Sequence, residues 1–510
     1  MNELNELNEL KKSPIVLNGI LQHDLDLFKS ALERCSDVVY RMITLHADTK
    51  GTLIFIDGMV DDARNESTVI EPLLQVLSGN NDLSISDNLS TALDTVFADQ
   101  LEKGDSLDQA VKAICKGDTA LILDGFRDFY LISNRKWEQR SIEEPAAEPV
   151  IRGPRDGFTE NLRVNTTLIR RRLATPDLKV EAFQVGELSR TDIALVYLDS
   201  IVMKGLVEEI KERLNRIKIE AILESGYIEE LITDNTFSVF PQLISTERPD
   251  RVVSGLLEGK AAIIIDNTPF SLIAPGTFAD SLQASEDYYQ NYIASTLTRL
   301  LRLWLAFSAL VFPSVYIAVT TFHQEMVPTS LLLSIASSRE AVPFPGIVEA
   351  FLMEAAFEGL REAGIRLPKP VGQAVSIVGA LVIGQAAVQA GIVSAILVIV
   401  VSFTGIASFI FPIYSQGLAF RVLRFPMMFL AGMLGLYGVF LGLLVIAIHL
   451  AKLRSFGVPY MSPIAPLSMS GLQDIFVRLP WWDRVSRPLQ TGKANRSRMS
   501  PHLRPRPPKN

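Results

Sequence analysis

From Leu303 to Phe322 the chain runs for 20 residues without a charged side chain. About 20 apolar residues at 1.5 Å rise cross roughly 30 Å of hydrocarbon. In lipid every backbone amide must be satisfied within the segment, so a helix is the form available to such a run. Phe425–Leu450 is a second uncharged run, with His449 near its end. Between them Val371 to Tyr414 is apolar for 44 residues, enough for two spans turning near Gln389-Ala-Gly391. Four crossings are expected, near 300–322, 371–391, 393–414 and 425–451, which leaves Arg421 and Arg424 in a loop outside the membrane. The residues before Arg299 read as water-soluble. The expected division is a variable polar tail 1–24, an α/β unit 25–141, a linker plus second α/β unit 142–290, a transmembrane helical domain 291–453 and a basic tail 454–510.

Charge sets the orientation. From Ala451 onward 11 Lys/Arg face Asp474 and Asp483, a net +9, so residues 1–450 carry −17 of a total of −8. An excess of Lys/Arg beside a span marks the cytoplasmic side. A Pro-rich basic tail abutting a membrane helix is read as membrane-proximal, and no nucleic acid partner is expected. Met1–Lys12 is a polar Asn-Glu-Leu repeat without the apolar core of a signal peptide, so the soluble part is expected in the cytosol. With both ends inside, the number of complete crossings is even. Cys35 and Cys115 have no neighbour at metal spacing and are expected to be buried structural thiols.

The soluble part contains an echo. Thr52-Leu-Ile-Phe-Ile-Asp-Gly58 resembles Ala194-Leu-Val-Tyr-Leu-Asp-Ser200, and Asp57 to Asp199 is a shift of 142. Gly117 to Gly259 and Asp124 to Asp266 are shifts of 142 as well. Three anchors at one offset imply two copies of one α/β unit. The short apolar runs ending in Asp have the composition of strands buried on both faces, with helical stretches such as Leu206–Ile222 between them. Asp57, Asp124, Asp199 and Asp266 either hold a ligand at strand ends or serve as turn residues, which a carboxylate that bonds nearby backbone does well.

An acidic, Pro-bearing stretch from Ile142 to Pro149 separates the copies, and an arginine-rich one follows. Gly153-Pro154 and Asp156-Gly157 are turn dipeptides. Arg163, Arg170, Arg171 and Arg172 then load a helix ending near Leu173. With Arg152, Arg155 and Asp156 they form a candidate contact with an acidic partner or a neighbouring domain; the alternative is a solvated face carrying internal ion pairs.

In the membrane half, Glu354, Glu358 and Glu362 recur at i, i+4 and i+8, within an arc of about 80° on a helix. Glu349 falls on the other side. A helix so charged does not face lipid. It either lies on the membrane surface or faces a water-filled passage, where repeated carboxylates select cations. Gln373, Gln385 and Gln389 place amides in apolar sequence, suited to hydrogen bonding between helices or to lining the same path. The candidate ion path is Glu354, Glu358, Glu362 and Gln385. There is no Walker loop, His-Glu-x-x-His or nucleophile elbow, so no enzyme, metal or cofactor is expected.

Arg152-Gly-Pro-Arg-Asp-Gly-Phe158, Asn161-Leu-Arg-Val-Asn165 and Leu168-Ile-Arg-Arg-Arg172 resemble the signature of A subunits of GerA-type spore germination receptors. Pro343-Phe-Pro-Gly-Ile-Val-Glu-Ala350, Glu354–Gly364 and Gly379–Ala386 resemble the same family, so that the likeness covers about residues 25–485. The resemblance implies a protein of the spore inner membrane that acts with B and C subunits, forms homo-oligomers and acts as a nutrient-gated cation channel. A solute transporter subunit would instead show inverted repeats among its spans. A membrane-anchored signalling scaffold would show no conductance.

Overall fold

The computed structural model describes residues 15–44, 50–61, 65–71, 101–136, 144–145, 148–366, 382–488, 491–492, 495–500 and 503–505. Most of the expected span 371–391, with Gln373, lies outside them.

The soluble part is a duplication. Its first sheet has the order β1-β2-β4-β5-β3 (Val38–Thr44, Lys50–Ile56, Thr119–Leu123, Phe129–Ile132, Leu101–Gly104). The second has the order β6-β7-β9-β10-β8 (Leu178–Val185, Thr191–Leu198, Ala261–Ile265, Ser271–Ala274, Ile244–Thr246). All pairings are antiparallel. Register repeats along with order. Gly51 faces Leu123 and Ile193 faces Ile265, Thr119 faces Ile132 and Ala261 faces Ala274, Glu102 faces Leu131 and Ile244 faces Ile273. The helices Leu107–Cys115 and Pro249–Leu257 are themselves 142 residues apart.

Side-chain alternation explains why the second sheet reads as continuous apolar sequence. Ile193, Leu195 and Tyr197 pack with Ile210, Leu214, Ile228 and Ile232 of the helices Leu206–Arg216 and Ser225–Ile232. Ala194, Val196 and Leu198 face the other way, onto Leu168, Val252 and Leu256 of Leu162–Arg170 and Pro249–Leu257. With period two, a strand covered on both faces must be apolar at every position.

The strand-end aspartates have structural partners. Asp124 Oδ1 accepts the N–H of Leu21, first residue of the helix Leu21–Ala31, at 3.1 Å. Asp266 Oδ1 accepts that of Leu162, first residue of Leu162–Arg170, at 2.9 Å. Each satisfies one of the amides a helix start leaves unpaired. Asp57 and Asp199 instead tie one repeat to the other, through Arg163 at 2.9 Å and Arg34 at 3.0 Å.

The C-terminal half is helical. Tyr292–Phe322 and Tyr414–Leu434 are long and apolar enough to cross a membrane; Ala395–Ile410 and Leu436–Lys452 are shorter apolar helical stretches. The expected crossing 425–451 is therefore not one helix. Gly435, at φ +61°, ends one helix and Leu436 starts the next, an angle glycine adopts without Cβ strain. Close packing is bought elsewhere by small residues: a side chain at Gly405 would strike Phe357, and one at Gly432 would strike Ile347.

Candidate functional site

Pro313 lies inside the helix Tyr292–Phe322. Proline has no N–H, so the carbonyl four residues back, on Ala309, loses its helical donor. Arg424 fills that gap: its Nε donates to Ala309 O at 2.8 Å and its Nη1 to Glu354 Oε2 at 2.6 Å. The Thr404 hydroxyl donates to Glu354 Oε1 at 3.3 Å. Both charged side chains are 4% exposed or less. About one turn away Arg421 Nη1 donates to Glu358 Oε1 at 2.7 Å.

These pairs fix the place of the acidic helix Gly346–Arg366. Ile347 lies against Gly432, Glu354 against Arg424 and Glu358 against Arg421. The numbers rise on one helix as they fall on the other, so the two helices run antiparallel, side by side for most of their length. Arg421 and Arg424 accordingly sit inside the helix Tyr414–Leu434, buried, and not in a loop outside the membrane as the expected crossings placed them. A buried charge is tolerated when paired and hydrogen-bonded, and the carboxylate stripe supplies the pairing.

Exposure increases along the stripe. Glu354 is enclosed, Glu358 is 38% exposed at its side chain, and Glu362 is exposed, joined to Arg366 at 2.6 Å one turn on. Gln385 is exposed on a separate helical stretch, 382–389. Glu349, given no role by the sequence, is fully buried and accepts the Ser394 N–H, with Arg339 at 3.7 Å. Arg361 reaches Gly405 O and the Ser408 hydroxyl and lies 4.3 Å from the Phe409 ring centre. The complementary spacing of Glu354/Glu358 and Arg421/Arg424 was the available signal for the pairing; nothing local marked Glu349.

The arginine-rich segment of the soluble part divides three ways. Arg170 enters the boundary between the repeats, where Nε and Nη2 donate to the two Asp37 oxygens at 2.8 and 2.9 Å and Nη1 to Leu178 O at 2.8 Å. Both side chains are 1% exposed. Burial alone pulls the Arg170 guanidinium down, but Asp37 more than offsets it and holds it above its ordinary value. Arg163 pairs with Asp57 and Arg172 with Asp156. Arg152, Arg155 and Arg171 are exposed.

A second charged joint links the soluble and helical parts. Asp287 accepts from Arg299 at 2.8 Å and from Arg302 at 3.0 Å, both near the start of the helix Tyr292–Phe322. The basic C-terminal segment folds back here. Arg484 pairs with Asp474 at 2.6 Å and lies 4.5 Å from the Tyr288 ring centre, and Arg487 Nε donates to Leu257 O at 2.8 Å. The segment is thus a strap across the second repeat. The strap and the Asp287 joint meet the same helix whose Ala309 carbonyl accepts from Arg424.

The comparisons with known proteins follow the same outline. A family model described as Bacillus/Clostridium GerA spore germination protein matches residues 26–490. The chain is 46% identical over 501 residues to the uncharacterized membrane protein YfkQ of Bacillus subtilis strain 168, covering 96% of this chain and 95% of that one. It is 46% identical over 499 residues to spore germination protein KA of the same organism, covering 98% and 91%. Among solved structures, the N-terminal domain of the A subunit of the Bacillus megaterium spore germinant receptor GerK3 matches at 33% identity and a TM-score of 0.42, over 52% of this chain and 99% of that one. With a match that runs from the first repeat through the helical domain and into the C-terminal strap, this chain belongs to the GerA family of spore germination proteins.

Proposed function

We propose that this protein is the A subunit of a nutrient germinant receptor in the spore inner membrane. It acts with B and C subunits and self-associates to form a gated path for monovalent cations. The soluble repeats lie on the cytoplasmic side, consistent with Lys452 exposed at the end of the helix Leu436–Lys452 and Arg454 exposed just beyond it. The observation that carries the channel reading is the graded carboxylate stripe. Glu354 is locked to Arg424 while Glu358 and Glu362 are progressively open to the outside of the single chain. In a ring of copies those outer carboxylates and Gln385 line the path, and Glu354 holds their helix in place. Carboxylate rings favour cations by replacing part of the ion's hydration. Nutrient binding, on a partner subunit, moves the strap and the Asp287 joint and so re-packs the helices.

The test is ion flux from liposomes holding the purified receptor. Nutrient-dependent cation conductance is expected, and Glu358→Gln with Glu362→Gln lowers cation over anion selectivity. No conductance under any lipid condition discards the channel reading. Unchanged permeability ratios remove the stripe from the path. Saturable uptake of one solute without conductance would point to a transporter.

A further inference from the structure

We propose that the loop 233–240 of the second repeat is a membrane-docking loop that seats Phe237 and Val239 in the interfacial layer of a bilayer carrying anionic headgroups. Phe237 is 97% exposed and Val239 is 44% exposed, the former close to the most solvent an aromatic side chain can meet. The loop is held from both sides. The Asn235 N–H donates to Gln242 Oε1 at 2.9 Å, Gln242 Nε2 donates back to Asn235 O at 2.6 Å, and the Phe237 N–H donates to Asn235 Oδ1 at 3.1 Å. Phe237 is therefore presented by a closed turn.

The level of the loop comes from its neighbours. Ser238 Oγ lies 2.8 Å from His449 Nε2, in the last turn of the helix Leu436–Lys452. Phe240, buried, packs edge-on to Phe420 with ring centres 6.2 Å apart and lies 6.0 Å from the His449 ring. His449 closes the uncharged run that began at Phe425, so the residue next to Ser238 emerges where hydrocarbon gives way to headgroups. Exposed Lys452 and Arg454 follow directly. Trp304, second in the uncharged run of one spanning helix, and Tyr414, first residue of the other, are also exposed at this end. Aromatic rings at the interface with cations just outside it are the pattern by which membrane proteins are anchored. The headgroup–acyl boundary, which the apolar face of an interfacial helix enters by about 5–10 Å, is the layer such side chains share. Anionic lipid is the occupant that satisfies both the ring and the cations. Through this contact the second repeat has a lipid foothold beside the helix it abuts, so lipid charge acts on the same interface as the strap.

The proposal rests on the helical domain being embedded in lipid, and the experiment separates the two. Single-cysteine variants Phe237→Cys, Val445→Cys and Met42→Cys of the full chain are labelled with a polarity-sensitive fluorophore; Cys35 and Cys115 are buried. The proteins are placed in nanodiscs of mixed phosphatidylglycerol and phosphatidylcholine, with and without doxyl-labelled lipid. Val445 on the apolar helix Leu436–Lys452 is 64% exposed and Met42 of the first repeat is 70% exposed. The expected result is a blue-shifted, lipid-quenched signal at 237 as at 445, with neither effect at 42. Lys452→Gln with Arg454→Gln reduces the quenching at 237 only. A signal at 237 like that at 42, with 445 quenched, overturns the docking loop while leaving the helix in lipid. Protection at 237 from both lipid and aqueous quenchers overturns it in favour of a second copy or another subunit. An unquenched 445 removes the membrane reading itself. Equal quenching at 237 in purely zwitterionic discs overturns the role of anionic headgroups.

Discussion

Replacing Arg170 by Met tests the bolt between the two repeats. The guanidinium makes two hydrogen bonds to Asp37 at 2.8 and 2.9 Å and a third to Leu178 O, in a site where both side chains are 1% exposed. Breaking such a pair from one side strands a buried carboxylate and costs about 3–5 kcal/mol. Against a stability of about 5–15 kcal/mol for a domain, that is a large share. With a urea dependence of about 1–3 kcal/mol per molar, the unfolding midpoint falls by about 2 M. The assay is urea-dependent pulse proteolysis of the full chain in detergent, with hydrogen exchange read on peptides covering Ser36 and Val180. The Ser36 N–H donates to Val180 O at 2.8 Å across the boundary, so this amide loses protection first. Arg170→Met combined with Asp37→Leu leaves no orphaned charge and recovers most of the loss, since apolar replacement of a whole buried pair is often neutral or stabilising. Single variants within about 0.5 kcal/mol of the parent, adding without coupling, would refute the reasoning.

Arg424→Met strands Glu354 and the Ala309 carbonyl together, and is expected to lower the melting temperature in detergent more than Arg366→Met, whose pair is exposed. An equal, small effect would deny the bundle its buried lock. Asp124→Ala and Asp266→Ala should each cost about 0.5–2 kcal/mol, because a carboxylate accepting a helix-start amide is worth that much. A loss at one site alone would deny their equivalence. Burial, with Glu224 nearby, pushes the Glu229 carboxyl up to about 7 from an ordinary 4.5. Between these values the unfolded chain ionises first, so the second repeat loses stability as pH rises, by up to about 3 kcal/mol at pH 8. Glu229→Gln flattens that slope; an unchanged slope counts against the raised carboxyl. Burial likewise raises the Cys115 thiol to about 11, so in the folded chain it should resist alkylation at pH 7.5 while an exposed introduced cysteine reacts fully.

The change from α/β structure to apolar helices near Arg299, the duplication and the family were legible in the residues, because each rests on local composition or on a repeated spacing. The 142-residue offset carried even the register of three strand pairings, since a fixed offset between strands transfers directly to the pairs they make. The stripe of Glu354, Glu358 and Glu362 was visible too, as a periodicity. What it faces was not. Glu354 meets Arg424 across 70 residues and Arg170 meets Asp37 across 133, and no local pattern encodes which helix face turns toward which. Gly435 and Pro313 look alike as helix punctuation in the sequence. Only the packed structure made one a break between helices and the other a vacancy filled by arginine. Helical periodicity is a property of neighbours along the chain. The pairing of buried charges is decided by helix crossing and by the penalty for an unmatched charge, and both exist only once the chain is folded.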